Sequence, residues 1–261
     1  MRRTMLACAV MVALGFCAVS VAKAKATVDS HPATDTHEEW KLGVQAYSFR
    51  KYTFFEAVDK AAALGLDWIE AYPGQKVGGP FPKVTFRPNT PEKVRKAVKK
   101  KLDEAGVRLV NYGVVGLPNN EKKCRQVFEF ARDMGVETIV SEPPAKALKM
   151  IDKLCRKYKI NVAIHNHPKP SPYWNPDKIL EATKGLSKRI GACADPGHWE
   201  RSGIDPVQSL QKLVGRIVSL HLKDVENGHG IMWNTGNRDD INRVLTELRR
   251  QDFEGVISIE Y

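Results

Sequence analysis

The sequence predicts an α/β protein built as a single (β/α)8 barrel over residues 40–261. Three observations carry this. The chain has 261 residues, the usual size for one such barrel and large for a simple doubly wound sheet. One rhythm recurs along it: an amphipathic helix, a glycine or turn, then a short apolar strand. Eight strand-like segments can be counted, at about 42–49, 67–72, 108–115, 137–142, 161–167, 190–195, 217–222 and 255–260. Alternating strands and helices argue for a parallel sheet with helices outside, and eight of them argue for closure.

The elements follow in order. Ala57, Ala61 and Leu64 share one face of the first helix, which passes through Gly65 into Trp68-Ile69-Glu70. Val94, Val98 and Leu102 share a face of the next, which ends at Gly106 before Val107–Val110. Phe128–Met134 runs through Gly135 into Val136–Val140. Leu148, Ile151 and Leu154 line a further helix, and Val207, Leu210 and Leu213 another. Glu247–Glu254 meets Gly255 before Val256–Glu260. Glycine suits the residue after a helix because the chain turns there with positive φ. The sequence stops at Tyr261, directly after the eighth strand, so the final helix of a full barrel is expected to be missing. Apolar surface on strands one and eight would then call for a covering partner or cost stability.

Residues 1–26 have the three parts of a signal peptide: the basic head Met1-Arg2-Arg3, the apolar run Met5–Ala22, and small-x-small sites at Ala22-Lys23-Ala24 and Ala24-Lys25-Ala26. An apolar run of about 18 residues could also just span a bilayer, but the small-residue site directly after it favours cleavage. The chain is therefore expected to be exported, periplasmic or extracellular, with no membrane attachment afterwards. Residues 27–39 are polar without apolar period and read as a flexible lead-in. Loss of Arg2, Arg3, Lys23 and Lys25 takes the formal charge from +11 to +7. The remaining basic residues are spread along helices, as in Lys93–Lys101, with no cluster interleaved with aromatics, so no nucleic-acid partner is expected. Cys124, Cys155 and Cys193 remain, with no CxxC spacing. That excludes a disulfide scaffold and a cysteine zinc site, leaves one bridge open, and makes Cys193 a small buried hydrophobe.

In this architecture the C-terminal ends of strands face the active site. They carry Gln45 and Tyr47, Glu70 and Tyr72, Asn111 and Tyr112, Glu142, His165-Asn166-His167, Asp195 followed by Pro196-Gly197-His198-Trp199, His221 with Lys223-Asp224, and Glu260. Singly, each acid could be a rim ion pair and each histidine a satisfied core residue. Together, burying several carboxylates without a cation is costly. Imidazole with carboxylate favours one divalent Mn, Co, Zn or Fe over Ca.

At these residues the chain resembles the xylose isomerase-like TIM-barrel superfamily, the sugar phosphate isomerase/epimerase family, over about residues 40–261. Asp195-Pro196-Gly197-His198 resembles its Asp-x-x-His element. Ser219-Leu220-His221-Leu222-Lys223-Asp224 resembles its His-x-x-Asp element, and Ile257-Ser258-Ile259-Glu260 its closing strand. Thr235-Gly236-Asn237 resembles the loop before the last helix–strand pair. The resemblance implies a metal set of Glu142, Asp195, His221 and Glu260, with His165 as a fifth ligand, and a substrate-contacting His198. Epimerases of this family usually carry Glu-Asn-His where this chain has His165-Asn166-His167, which leans toward oxidised or keto-sugar substrates.

The expected activity is a sugar isomerase or epimerase acting on an unphosphorylated sugar, keto-glycoside or cyclitol. With the carbonyl polarised by the metal, Glu260 or Glu142 would remove the neighbouring proton, and Lys223 or His198 would steady the enediolate. Elimination from the same intermediate would make a lyase acting on 3-keto-glycosides. Gln45, Glu70, His167 and Trp199 are the expected substrate-binding residues. Tyr72, Tyr173, Trp174 and Trp233 could stack on a sugar ring or simply pack in loops. Two rivals stand beside this reading. One is a non-catalytic barrel that binds a sugar or a partner. The other is a nuclease of the endonuclease IV type, which would need histidines on early strands where this chain has none. The partner is a small-molecule sugar, and a homo-oligomer remains open.

Overall fold

The computed structural model describes residues 40–226, 229–231 and 238–261, with backbone alone over 224–226, 229–231 and 238–240. The leader at 1–26, the lead-in at 27–39, Trp233 and the Thr235-Gly236-Asn237 loop lie outside the described residues. The chain enters through β1 (Lys41–Gln45), a 3-10 turn over Ala46–Phe49, α1 (Phe54–Ala63) and β2 (Trp68–Ala71). A side hairpin, β3 (Lys76–Gly78) and β4 (Phe81–Thr85), precedes α2 (Glu92–Ala105) and β5 (Arg108–Tyr112). Next come α3 (Glu121–Met134), β6 (Thr138–Ser141), α4 (Leu148–Tyr158), β7 (Asn161–His165), α5 (Pro176–Thr183) and β8 (Ile190–Ala194). Two short helices, α6 (Pro196–Arg201) and α7 (Pro206–Lys212), lead to β9 (Ile217–Leu222). A second hairpin, β10 (Asp224–Glu226) and β11 (His229–Ile231), is followed by α8 (Arg238–Arg250) and β12 (Val256–Ile259).

Eight of these strands close into a parallel barrel in the order β1-β12-β9-β8-β7-β6-β5-β2. The structure is thus the single (β/α)8 barrel that the helix–glycine–strand rhythm predicts. Gly106 and Gly135 end α2 and α3 with φ of 65° and 74°, the left-handed geometry that glycine adopts without strain. At the first helix the pattern misleads: Leu64 is the C-cap of α1 and is exposed, because the helix turns away one residue before it. The N-terminus of α1 is closed by a capping box in which Thr53 and Glu56 satisfy each other's backbone N–H.

Strand one ends earlier than the apolar pattern suggests. Gln45 Oε1 accepts from Tyr47 N at 2.9 Å, which diverts the backbone into the 3-10 turn. The hairpins β3–β4 and β10–β11 carry no clear alternation and lie outside the eight strands the sequence predicts. All three described cysteines are free and buried. Where β1 meets β12, Leu42 stands opposite Ile257 and is 41% exposed. Inside the barrel β8 and β9 approach closely at Gly191, where a Cβ would meet Arg216 O at 2.0 Å.

Helices α7 and α8 are joined through buried Glu247. Its carboxylate accepts from Arg250 Nη2 (2.6 Å), Gln251 Nε2 (2.6 Å) and Gln211 Nε2 (3.3 Å). The Arg250 hydrogen bond is the strongest influence that holds this carboxyl down at about 2, against burial, from an ordinary 4.5. A depressed carboxyl stabilises the fold above its unfolded value, and that stabilisation is lost as pH falls toward 2. Glu247→Gln is therefore expected to cost about 1–2 kcal/mol near neutrality, solvent around the exposed Arg250 arm screening the pair. The difference from the parent should shrink between about pH 4.5 and 2 in urea unfolding.

Candidate metal centre

The centre forms at the C-terminal ends of β7, β8, β9 and β12. One ligand atom from each of His165, Asp195, His221 and Glu260 lies within 4.8 Å of every other. Asp195 arrives there through the start of α6. Its Oδ1 accepts from His198 N at 3.0 Å, capping the helix, while Asn166 clamps its backbone, accepting from Asp195 N (2.8 Å) and donating to Asp195 O (2.9 Å). Its Oδ2 is left facing the other ligands.

Three buried atoms of this set, His165 Nε2, Asp195 Oδ2 and His221 Nδ1, have no hydrogen-bond partner. Buried polar atoms are rarely left so. Asp195 Oδ2 is 3.1 Å from Lys223 Nζ, but out of line for a hydrogen bond, and 3.6 Å from His165 Nε2. His221 Nδ1 is 3.0 Å from Glu260 Oε2. Donors each about 2.1 Å from one ion stand roughly 3–3.5 Å apart, so the spacing fits a cation between them. Two imidazoles with two carboxylates suit Mn, Co, Zn or Fe.

The charges agree. Burial pushes Asp195 upward, yet Lys223 and the histidines hold its carboxyl well below the ordinary range. Burial likewise opposes ionisation of Glu260, but His221 and then Lys223 hold it at about 2. His221 is raised well above the usual imidazole value despite burial, by Cys193, Glu70 and Glu260. The carboxylates therefore demand positive charge, which protons supply on His221 and which a metal would supply with their release.

Glu70, expected to touch substrate, is instead enclosed. Its Oε1 accepts from Gln45 Nε2 (3.2 Å) and lies 2.9 Å from His221 Nε2; its Oε2 accepts from Asn111 Nδ2 (3.2 Å) and Ser258 Oγ (2.8 Å). With a proton on Nε2 donated to Glu70, the Nδ1 side of His221 faces the centre, where its lone pair would serve a metal once the second proton is released. Gln45 is spent in the same network, since its Nε2 also donates to Gly113 O at 2.9 Å. Glu70→Gln is expected to weaken metal binding by about 10–100-fold, read by competition with a chromophoric chelator.

Glu142 stands behind His165 rather than within the set of four. Its Oε1 is 3.4 Å from His165 Nδ1 and pairs closely with His167 Nδ1, and its Oε2 accepts from Ser171 Oγ at 2.8 Å. The His167 side chain is 47% exposed. Among the described residues His165, His167 and His198 also converge. His198 sits with Nε2 3.4 Å from Lys223 Nζ and Nδ1 3.3 Å from Arg201 Nη1. Burial first, and then Lys223 among its neighbours, pushes its imidazole down to about 3 despite Asp195, so it is a neutral acceptor. Lys223 Nζ also donates to Glu260 Oε1 at 3.2 Å. Trp199 is fully buried in the core, and Tyr173 is buried with its hydroxyl donating to Pro143 O at 2.5 Å. Reading strand ends missed Asn166 and Ser258 as supports. Asn166 was legible only as part of the His165-Asn166-His167 run.

The family model described as "Xylose isomerase-like TIM barrel" matches residues 58–261. An uncharacterized protein from Parabacteroides distasonis ATCC 8503 has a crystal structure similar to this one, with TM-score 0.71 and 35% identity, covering 85% of this chain and 90% of that one. A D-tagatose 3-epimerase-like protein shares the fold at TM-score 0.68 and 21% identity, covering 84% and 90%. Inosose dehydratase of Clostridium tetani (strain Massachusetts / E88) is 26% identical over 114 residues, which is 43% of this chain and 34% of that protein. The match therefore spans about a third of that relative.

Proposed function

Because the chain belongs to the xylose isomerase-like TIM-barrel family, we propose that it is a divalent-metal-dependent enzyme that removes a proton next to a carbonyl of a sugar or cyclitol, isomerising or epimerising it. The observation that carries this is the convergence of three buried ligand atoms without an in-line hydrogen bond, on His165, Asp195 and His221, beside the Glu260 carboxylate. Bound there, Mn, Co, Zn or Fe would polarise the substrate carbonyl and acidify the adjacent C–H. Glu260 is the base: Asp195 is fully buried, whereas the Glu260 side chain keeps 15% exposure toward an incoming substrate. Lys223 keeps Glu260 anionic and offers its ammonium to the developing oxyanion. Neutral His198 can accept a substrate hydroxyl. The leader-like start of the chain supports an unphosphorylated substrate met outside the cytoplasm.

A second reading, elimination, is favoured by the exposed His167 held on Glu142. That pair can deliver a proton to a departing hydroxyl or alkoxide once Glu260 has taken the C–H proton. Similarity to an inosose dehydratase supports it. The test is to incubate metal-loaded protein with keto-glucosides and inososes in D2O and follow them by NMR. Deuterium is expected at the carbon beside the carbonyl, with an inverted centre for epimerisation or a new conjugated alkene for elimination. No exchange into any of these substrates by protein shown to hold metal would overturn the reading.

A further inference from the structure

The register between β1 and β12 ends at Val44 opposite Ile259, one residue before Glu260. Toward β9, Glu260 keeps its rung, since its N–H donates to Leu222 O at 3.0 Å. Toward β1 the partner strand has gone. Gln45 Oε1 takes Tyr47 N and folds Ala46–Phe49 into the 3-10 turn. The residue proposed as base and metal ligand is therefore paired by backbone along one edge alone.

A side chain from the turn covers the other edge. Ser48 Oγ accepts from Tyr261 N at 2.9 Å and donates, more weakly, to Ile259 O at 3.5 Å. In a parallel pair, the residue opposite Glu260 would accept from the N–H after it and donate to the carbonyl before it. The Ser48 hydroxyl makes both of these bonds, and so imitates the rung that β1 no longer supplies. The Glu260 carboxylate is oriented separately, with Oε1 accepting from Lys223 Nζ at 3.2 Å and Oε2 3.0 Å from His221 Nδ1. Those contacts set where the carboxylate points, and the backbone sets the place it reaches from.

We infer that Ser48 is a positioning residue for Glu260, fixing its backbone so that the carboxylate meets metal and substrate at the proper distance. The inference rests on the proposed role of Glu260 and adds the group that holds it in place. Both tasks of that carboxylate depend on placement: outer partners tune ligand affinity, and a small misplacement slows a positioned base.

The test compares the parent with Ser48→Ala, which removes the bridge, and Ser48→Thr, which keeps the hydroxyl. Competition with a chromophoric chelator should show Zn2+ held about tenfold more weakly by the alanine variant and near the parent value by threonine. At saturating Zn2+, deuterium exchange into a keto-glucoside or inosose should fall about tenfold in kcat with KM unchanged, because no substrate contact is lost. The absorption bands of bound Co2+ should shift with alanine and return with threonine. A hydroxyl with only a structural task would lower the melting temperature of the metal-free protein and leave Zn2+ affinity and the Co2+ bands unaltered. That result overturns the inference, as does a failure of threonine to restore them. Hydrogen exchange at the Tyr261 amide of the parent needs no variant, and a freely exchanging amide there overturns the bridge. Weaker Zn2+ binding with threonine rescue, in a protein that exchanges no substrate, sustains Ser48 and sinks the proposed chemistry. Substrate exchange with alanine matching the parent does the reverse, and a parent that binds no Zn2+ removes both.

Discussion

Loaded with Zn2+ or Mn2+ and then desalted, the protein is expected to retain about one equivalent of metal, and the Asp195→Ala/His221→Ala variant to retain none. Each removed side chain is one of the four that converge on the centre. The loss should exceed the roughly 10–100-fold cost of removing an outer partner such as Glu70. A ligand at a hundred times its dissociation constant stabilises the fold by about 2.7 kcal/mol. Metal should therefore raise the melting temperature of the parent and leave that of the variant where it was. Elemental analysis beside thermal unfolding checks both. If the parent, shown to be folded, takes up no metal at all, the proposed chemistry falls and a binding-only barrel becomes the better account.

Glu260→Gln should lower turnover by about 10²–10⁴-fold at saturating metal, the usual share of a positioned general base. The amide keeps the shape and an oxygen donor but cannot accept the proton. Lys223 would still be held by Asp195 at 3.1 Å, so the variant should remain folded. Deuterium exchange into substrate should fall in parallel with turnover. A rate within a few fold of the parent would move the base elsewhere, and Glu142, carried on His167, is the group that would then inherit the role.

Much of this was legible in the sequence because barrels place chemistry at strand ends. His165, Asp195, His221 and Glu260 each close a segment whose apolar period already marked it as a strand, and the barrel brings them to one mouth. What the linear pattern could not show is who serves whom. Glu70 and His221 are 151 residues apart and meet only once the barrel closes, so a strand-end glutamate looks the same whether it faces substrate or holds a histidine. The family resemblance makes Glu142 a ligand, but His165, His167 and Ser171 surround its carboxylate, which stands outside the set of four. The Tyr47 turn was hidden for a different reason. Residues 46–49 are apolar enough to continue β1, and a single side-chain bond from Gln45 diverts them.

Asp195 carries a dual obligation that constrains how this barrel can change. One oxygen closes the first turn of α6 and the other faces the metal position. Asparagine caps a helix about as well as aspartate. Asp195→Asn would therefore preserve the scaffold while removing the anion, and it separates architecture from chemistry more cleanly than alanine does. Glutamate, one methylene longer, could not serve both tasks from the same backbone position. The centre therefore cannot drift to a new ligand geometry at this strand without rebuilding the helix that follows, so variation in substrate is left to the rim.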